Sequence, residues 1–566
     1  MKTKESTLAR YLYLGVPAIS LFILTGSVTD PVNLTKFFVL GGVASGVLAI
    51  VLARFSGLLW RSEKFVVLIV LLFLAAGISA VAMSELPLTQ NLYGVYGRNT
   101  GFLAYLFLAV LLIGALVLRQ QESFDRLFYG LFVTGLVNVI YCGWVVTFGD
   151  FIGWNNPYGN ILGLFGNPNF IGAFLGIWIS ATTGFFLTRK LEFWKKAAFV
   201  ALLLLALYEV YSSRAVQGVV VTSSGLATVF FFYIRSRTQN NRALIGYSVP
   251  VIGFGLLALA GALQKGPLAE IVYKVSVSLR GVYWRAGIEM GIANPLTGVG
   301  MDGYGDWYRP FRSEYAATTL PGPTVVTNSA HNIPIDIFAY GGFPLVIPYL
   351  IIVLMGAKSI LLVMHRTRVY DPTFVALSVG WIGYQLQSLI SINQIGLAAW
   401  GWVLTGALIA YERFQGSGTP EDKSSALIGK RQIKKRATSS VFSDELIGGL
   451  GLVVGLIVAV PPLNADSSWV SASKSGSVQN VEKALTPTYL NPPSLKRLID
   501  SIQLFENSKL PDQARKYALI AVDYNPNNFE AWFVLYSISS ATSEDKELAI
   551  QMMKKLDPFN PENINP

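Results

Sequence analysis

Apolar residues fall in blocks of about twenty along this chain, separated by short segments rich in Lys, Arg, Gly, Pro and Asn. A helix rises 1.5 Å per residue, so roughly 20 mostly apolar residues cross the hydrocarbon of a bilayer. Phe65 to Ser84 and Leu244 to Leu263 are such blocks without a single charge. The same pattern predicts spans near 9–27, 35–53, 65–84, 100–118, 127–148, 168–188, 197–212, 215–234 and 244–263. Four more follow near 333–357, 373–393, 396–412 and 446–463. The expected fold is all-α: a polytopic membrane protein of about 12–13 transmembrane helices with a small helical domain at the C-terminus. No small-residue cleavage site precedes the second span, so the first reads as an anchor and not as a signal peptide.

Composition agrees. The 566 residues are 52% hydrophobic and 14% charged, with a mean hydropathy of +0.49, whereas a soluble chain carries about 25% charged residues. The single cysteine, Cys142, allows no intrachain disulfide. A net charge of +11 suggests nucleic acid until the basic residues are placed. Segments on one side of the alternating spans, from Lys2, Lys4 and Arg10 through the run Arg413–Arg436, hold 25 of the 44 Lys and Arg residues. The alternate loops hold nine and the tail ten. Cytoplasmic loops carry such an excess, so the charge orients the bundle and nucleic acid is rejected as a partner. The N-terminus is expected in the cytoplasm and the tail outside the cytoplasmic (inner) membrane.

Residues 1–412 then form the membrane domain, with a long external loop at 265–330. Residues 413–445 form a basic cytoplasmic linker, 446–463 an additional span and 464–566 an external tail. In the tail Asp523-Tyr-Asn-Pro526 recurs as Asp557-Pro-Phe-Asn-Pro561, each after a helical pattern of small and apolar residues. A period near 34 resembles tetratricopeptide repeats, although fewer than three fit. A helical cap or a docking module for a protein partner is expected.

The alternate loops should be poor in cations, yet six of their nine are arginine: Arg98, Arg214, Arg280, Arg285, Arg309 and Arg312. A guanidinium fork suits phosphate better than the point charge of lysine; snorkelling to lipid headgroups is the alternative. Arg214, in Tyr211-Ser-Ser-Arg214, lies at the membrane edge near Glu209, which makes it either an anion site or half of an ion pair. His331 lies where the long loop re-enters the bundle in Ala330-His-Asn-Ile-Pro-Ile-Asp336. Asn332 is a suitable N-cap and Pro334 suits the first turn, with Asp336 close by. The positive end of the helix should keep the imidazole neutral and attract phosphate. His365, the other histidine, sits among basic anchor residues. Three small-residue turns complete this side: Tyr96-Gly-Arg-Asn-Thr-Gly101, Gly166-Asn-Pro-Asn169 and Asn294-Pro-Leu-Thr-Gly-Val-Gly300. No phosphate-cradling Gly-rich loop, dinucleotide fingerprint or Cys/His cluster occurs. Asp302 and Asp306 alone are weak metal ligands; no metal and no cofactor are expected. Trp284, Trp307, Tyr304 and Tyr308 offer faces for sugar rings.

In order and spacing these pieces resemble the O-antigen ligase and O-antigen polymerase superfamily, bacterial membrane glycosyltransferases of the GT-C type. The resemblance runs from Tyr96-Gly-Arg98 through Gly166–Asn169, Ser213-Arg214 and Arg280-Gly-Val-Tyr-Trp284. It continues through Asn294–Gly300 and His331-Asn332 to Tyr340-Gly-Gly342. It implies transfer of an oligo- or polysaccharide from a polyprenyl-diphosphate carrier, such as undecaprenyl diphosphate, to an acceptor hydroxyl, with inversion and outside the cytoplasmic membrane. By the same resemblance His331 acts on the acceptor, and Arg214 and Arg280 bind the diphosphate. Arg285 is a further diphosphate candidate, with Arg98, Asn167, Asn169, Asn332, Asp336 and Trp284 supporting. The acceptor is a lipid, a growing glycan or a protein, so ligase, polymerase of repeat units and protein O-oligosaccharyltransferase stay open. A flippase for the same lipid-linked glycan is the rival from another class; it calls for mid-span charges and related halves, and neither is evident.

Overall fold

The computed structural model describes residues 2–272, 275–416 and 442–564; among these the protein is helical, without a strand. Lys274 and the linker cations Lys423, Lys430, Arg431, Lys434, Lys435 and Arg436 lie outside the described residues. All thirteen expected spans are helices, and nine of the described helices are long and apolar enough to cross a membrane. The other four are Lys2–Leu21, Phe102–Leu116, Phe193–Ser212 and Pro372–Ser388, shorter or more polar than that standard. The first span departs from its expected end. The helix stops at Leu21, short of residue 27, and the chain turns at Asp30, whose Oδ1 accepts the N–H groups of Val32 and Asn33 at 3.0 and 3.1 Å.

Close backbone approach, more than side-chain bulk, joins the helices. Asn33–Arg54 packs on Asp444–Lys474 through Gly41, Ser45, Gly46, Gly448, Gly451 and Gly455; a Cβ on Gly455 would lie 2.1 Å from the Gly41 carbonyl oxygen. Small residues at such seams let helices meet in an environment that offers no hydrophobic drive for association. Phe102–Leu116 and Ile395–Gly416 run through the interior and are almost entirely buried.

The two ends of the bundle differ. At one, acidic side chains hold the basic anchors: Glu5 accepts the N–H groups of Arg119 and Gln120 at 2.9 Å, and Glu63 pairs with Arg119 at 2.5 Å. Arg54 pairs with Asp444, and Arg366 with Glu412. At the other, here termed the loop end, lie segments 22–32, 83–101, 149–167, 213–215, 263–272, 294–332 and 389–394, and three of them bond to the C-terminal tail, through Thr29, Thr89 and Arg312. The long segment expected at 265–330 is not an open loop. It folds into helices Val275–Ala293, Tyr304–Phe311 and Glu314–Thr318, and the first packs along Ile333–Arg366. The tail is a run of antiparallel helices, Val478–Leu485, Leu495–Asn507, Pro511–Tyr524, Phe529–Ser537 and Ser543–Leu556, around its own apolar core.

Candidate functional site

Two glycine-rich pieces far apart in the chain fix the head of Ile333–Arg366. That helix breaks at Gly341 and Gly342, where φ is −143° and +60°. The turn Asn294–Gly300 fills the break: Val299 and Gly300 donate N–H to the carbonyls of Ala339 and Tyr340 at 2.8 and 3.1 Å, and Phe343 donates to Pro295 at 2.8 Å. Gly342 needs both its positive φ and its missing side chain, since a Cβ would sit 2.3 Å from the Pro295 oxygen. Gly298 is equally tight, with the Tyr340 carbonyl carbon 2.3 Å from where its Cβ would be. The two motifs are thus halves of one joint.

His331 stands at the head held by this joint. Its φ of +55° is left-handed, a conformation that a non-glycine residue keeps only when its surroundings impose it. Ser329 Oγ accepts the His331 N–H at 2.9 Å and donates to Asp336 Oδ2 at 2.7 Å, while the Ala330 N–H donates to Asp336 Oδ1 at 2.7 Å. Asn332 caps the helix through the Ile335 N–H at 3.1 Å and donates to the Leu389 carbonyl at 2.9 Å. Asp336 and Asn332 therefore hold the backbone on which His331 is carried. The imidazole stacks on Tyr283, centroids 5.9 Å apart and 29° between planes. Burial, then the charges of Arg280 and Arg98, lower its pKa to about 4, so the ring is neutral near pH 7. A neutral ring was expected from the helix dipole; burial and two guanidinium groups are the causes here.

The arginines divide by what they touch. Arg280, half-buried on Val275–Ala293 one turn from Tyr283, has no ion-pair or hydrogen-bond partner among the described residues, and burial lowers its pKa. Arg98 is buried and committed: it donates to the Asn328 carbonyl and to Tyr340 Oη at 3.2 Å, and pairs with Asp302 at 3.5 Å. Arg214 is exposed at the turn between Phe193–Ser212 and Val216–Arg237, with φ of +53°, and is not among the charges acting on His331. Arg285 is exposed and turns toward Glu289, at 3.9 Å. Arg309 and Arg312 both bind Asp557 of the tail, at 2.5 and 2.8 Å. Lys36 donates to the carbonyls of Ser20 and Phe22, closing the end of Lys2–Leu21.

Asn167 caps Pro168–Phe186 and donates to Tyr158 Oη at 3.1 Å, while Asn169 is exposed. Tyr304 and Tyr308 are fully buried and stacked on each other, so the expectation that they meet sugar rings is corrected. Trp284 and Trp307 are half-buried. Asp302 and Asp306 do not face a common point. Asp302 accepts the Val95 N–H and the Tyr340 hydroxyl, and Asp306 accepts from Gln90, Asn525 and Asn528.

Those last contacts show what the helical tail covers: it closes over the site. His331 lines a cavity of about 1190 Å³ whose opposite wall is tail, including Arg497, Tyr524, Phe529 and Tyr536. The tail is fastened by Asp557, by Asp306 to Asn525 and Asn528, by Thr89 to Tyr524 at 2.7 Å, and by Asp466 to the Thr29 N–H at 2.7 Å. The only sequence trace was the Asp-Pro-Phe-Asn-Pro run around Asp557, which read as a repeat turn.

Residues 198–350 match the family model described as O-antigen ligase. The stretch contains Arg214, Arg280, Trp284, Arg285, His331, Asn332 and Asp336, and leaves out Arg98, Asn167 and Asn169. No curated protein matches the chain.

Proposed function

From the premise of a multi-pass bacterial membrane protein with an O-antigen ligase likeness over residues 198–350, a lipid-linked glycan ligase or polymerase in kind, we propose a specific reaction. The protein transfers a glycan from a polyprenyl diphosphate to an acceptor hydroxyl on the extracytoplasmic face, with inversion. His331 takes the acceptor's proton as its oxygen bonds to the anomeric carbon. The bond from that carbon to the diphosphate oxygen breaks, and the polyprenyl diphosphate leaves with the electron pair. Arg280 meets the charge that builds on it, with Arg214 as the second guanidinium. Positioned cations aimed at developing charge are worth on the order of 10²–10³ in rate, and a base within reach about 10²–10⁴. The bond energy of the diphosphate linkage drives transfer, so no nucleotide site is required on that face.

The observation that carries this reading is His331 at the head of Ile333–Arg366, stacked on Tyr283, with Arg280 one turn from Tyr283, half-buried and without a protein counter-ion among the described residues. A half-buried charge of this kind is held for an anionic ligand more readily than for stability. The tail, tetratricopeptide-like in its spacing, forms the far wall of the chamber and would face the acceptor, whether glycan, lipid or protein.

The test is transfer in vitro from a polyprenyl-diphosphate glycan by His331→Ala, Arg280→Ala and Arg214→Ala, each checked for membrane insertion. Each is expected to lose at least 10²-fold in turnover. Full transfer by His331→Ala and Arg280→Ala removes the assignment.

A further inference from the structure

A second cavity, of about 580 Å³, opens at the loop end on the other side of the 94–99 loop. Tyr96 and Asn99 of that loop line the His331 chamber, whereas Gly97 and Arg98 line the second cavity. We propose that this second cavity binds uncharged sugar residues of a glycan chain. The inference rests on the transferase reading for its role in turnover, but not for the binding itself.

Three buried polar atoms on residues that line the cavity lack partners among the described residues: Asp30 Oδ2, Arg98 Nε and Asn393 Oδ1, the last on an amide that also meets Tyr105. Burying such atoms unpaired costs roughly as much as a lost hydrogen bond, and native proteins hold few of them. Two are acceptors and one is a donor. A hydroxyl, which donates and accepts at once, satisfies both kinds; a lipid chain satisfies neither. A diphosphate fits poorly, because the Arg98 charge is already met by Asp302 at 3.5 Å and Asp30 adds a second carboxylate, which leaves the solvent-exposed Lys474 as the one other cation among the lining residues. The remaining walls suit the C–H faces of sugar rings. Trp154 lines the cavity with its indole fixed by Nε1 donating to Asp150 Oδ2 at 2.7 Å, and Phe165 and Phe170 lie alongside. Fixed aromatic rings beside a few placed polar groups make a small-ligand site.

The probe is the oligosaccharide that mild acid releases from the producing organism's own lipid-linked glycan, free of lipid and diphosphate. Its binding to the full-length protein in nanodiscs is measured by calorimetry for wild type, Trp154→Ala, Asn393→Leu, Trp154→Phe and His331→Ala. Trp154→Ala and Asn393→Leu are expected to raise Kd at least tenfold, while Trp154→Phe and His331→Ala stay within threefold. Asp30→Asn keeps the Oδ1 cap and replaces the free acceptor by a donor; a fivefold rise is expected, and this variant decides the matter if the other two aggregate. Wild-type-like Kd in the well-folded variants, or no binding by wild type, overturns the proposal. In turnover, a higher KM for the acceptor glycan assigns the sugars to the acceptor, and a higher KM for the donor assigns them to the distal part of the donor. Because binding is scored without turnover, an active His331→Ala would remove the catalytic reading and leave this one standing.

Discussion

A histidine whose pKa is near 4 is a weak base, and its environment shows how it becomes a better one. Burial sets most of the depression, but Arg280 and Arg98 add to it through their charge. On the proposed reading, an anionic diphosphate bound at Arg280 would cancel that part, so the donor itself would raise the basicity of the ring. The base form is the deprotonated one. For the free enzyme, kcat/KM should therefore hold on the alkaline side and fall as pH drops through about 4, and the limb of kcat should lie higher. Arg280→Gln removes one depressing charge: its acid limb should move up toward the ordinary value of about 6.5, while the plateau drops about 10²–10³-fold. A pH–rate profile of both proteins reads the two effects separately; an unmoved limb would show that Arg280 does not act on His331. Where two of these groups stand was legible. His331 stood out because histidine is rare here and precedes an Asn-x-Pro helix start, and Arg280 because cations are scarce on that side. What stayed hidden depended on depth. Tyr304 and Tyr308 look identical in sequence whether they face a sugar or each other, and only packing decides.

At the scale of elements, the spans were legible because a bilayer demands about twenty apolar residues whatever their tertiary contacts. The ends were less so, as with Leu21, because a turn such as that at Asp30 is written in a few side-chain contacts. The joint between Asn294–Gly300 and Gly341-Gly342 was visible only as two separate glycine motifs. Their pairing is a matter of close backbone approach, which residue type permits but does not announce. The joint sets where His331 stands, so disturbing it should cost both stability and rate. Gly342→Ala introduces a left-handed alanine against the Pro295 carbonyl, together about 2–5 kcal/mol. Its melting midpoint in detergent should fall clearly and, with His331 as the proposed base, its kcat should drop more than its KM rises, because the imidazole is displaced and substrate contacts persist. Gly57→Ala, in a short helix with open space around its Cβ position, should instead be neutral or gain about 0.5–1 kcal/mol. Equal behaviour of the two variants would mean that the joint is not what holds the helix head.

For the whole molecule, the decisive contact joins residues 245 apart in sequence: Arg312 and Asp557, each about 1% exposed. No periodicity reports such a pair, which is why the tail read as an appended module when it is a wall of the chamber. Asp557 neutralises both Arg312, through Nη2 at 2.9 and 2.8 Å, and Arg309 at 2.5 Å. Arg309 also lies over the ring of Phe529 in the tail, 4.0 Å from its centroid. Removing the carboxylate strands buried positive charge, which typically costs about 3–5 kcal/mol. Asp557→Ala should therefore raise the undocked population of the tail by roughly 10²–10³-fold, with the bundle intact, and trypsin should reach Arg497, buried on the chamber side of the tail, correspondingly faster. Because the pair is buried, moderate salt should change this little. Replacing Arg312 and Asp557 by apolar side chains, Arg312→Met with Asp557→Leu, takes away the fully buried charge but leaves Arg309 with only the Phe529 ring in place of its carboxylate, so protection should return in part. If the tail is also the acceptor wall, the acceptor KM should rise in Asp557→Ala and recover in part in the double variant, with the donor KM unchanged. A tail equally protected in wild type and Asp557→Ala would show that the remaining contacts, Asp306 with Asn525 and Asn528 and Asp466 with Thr29, dock it without the arginines.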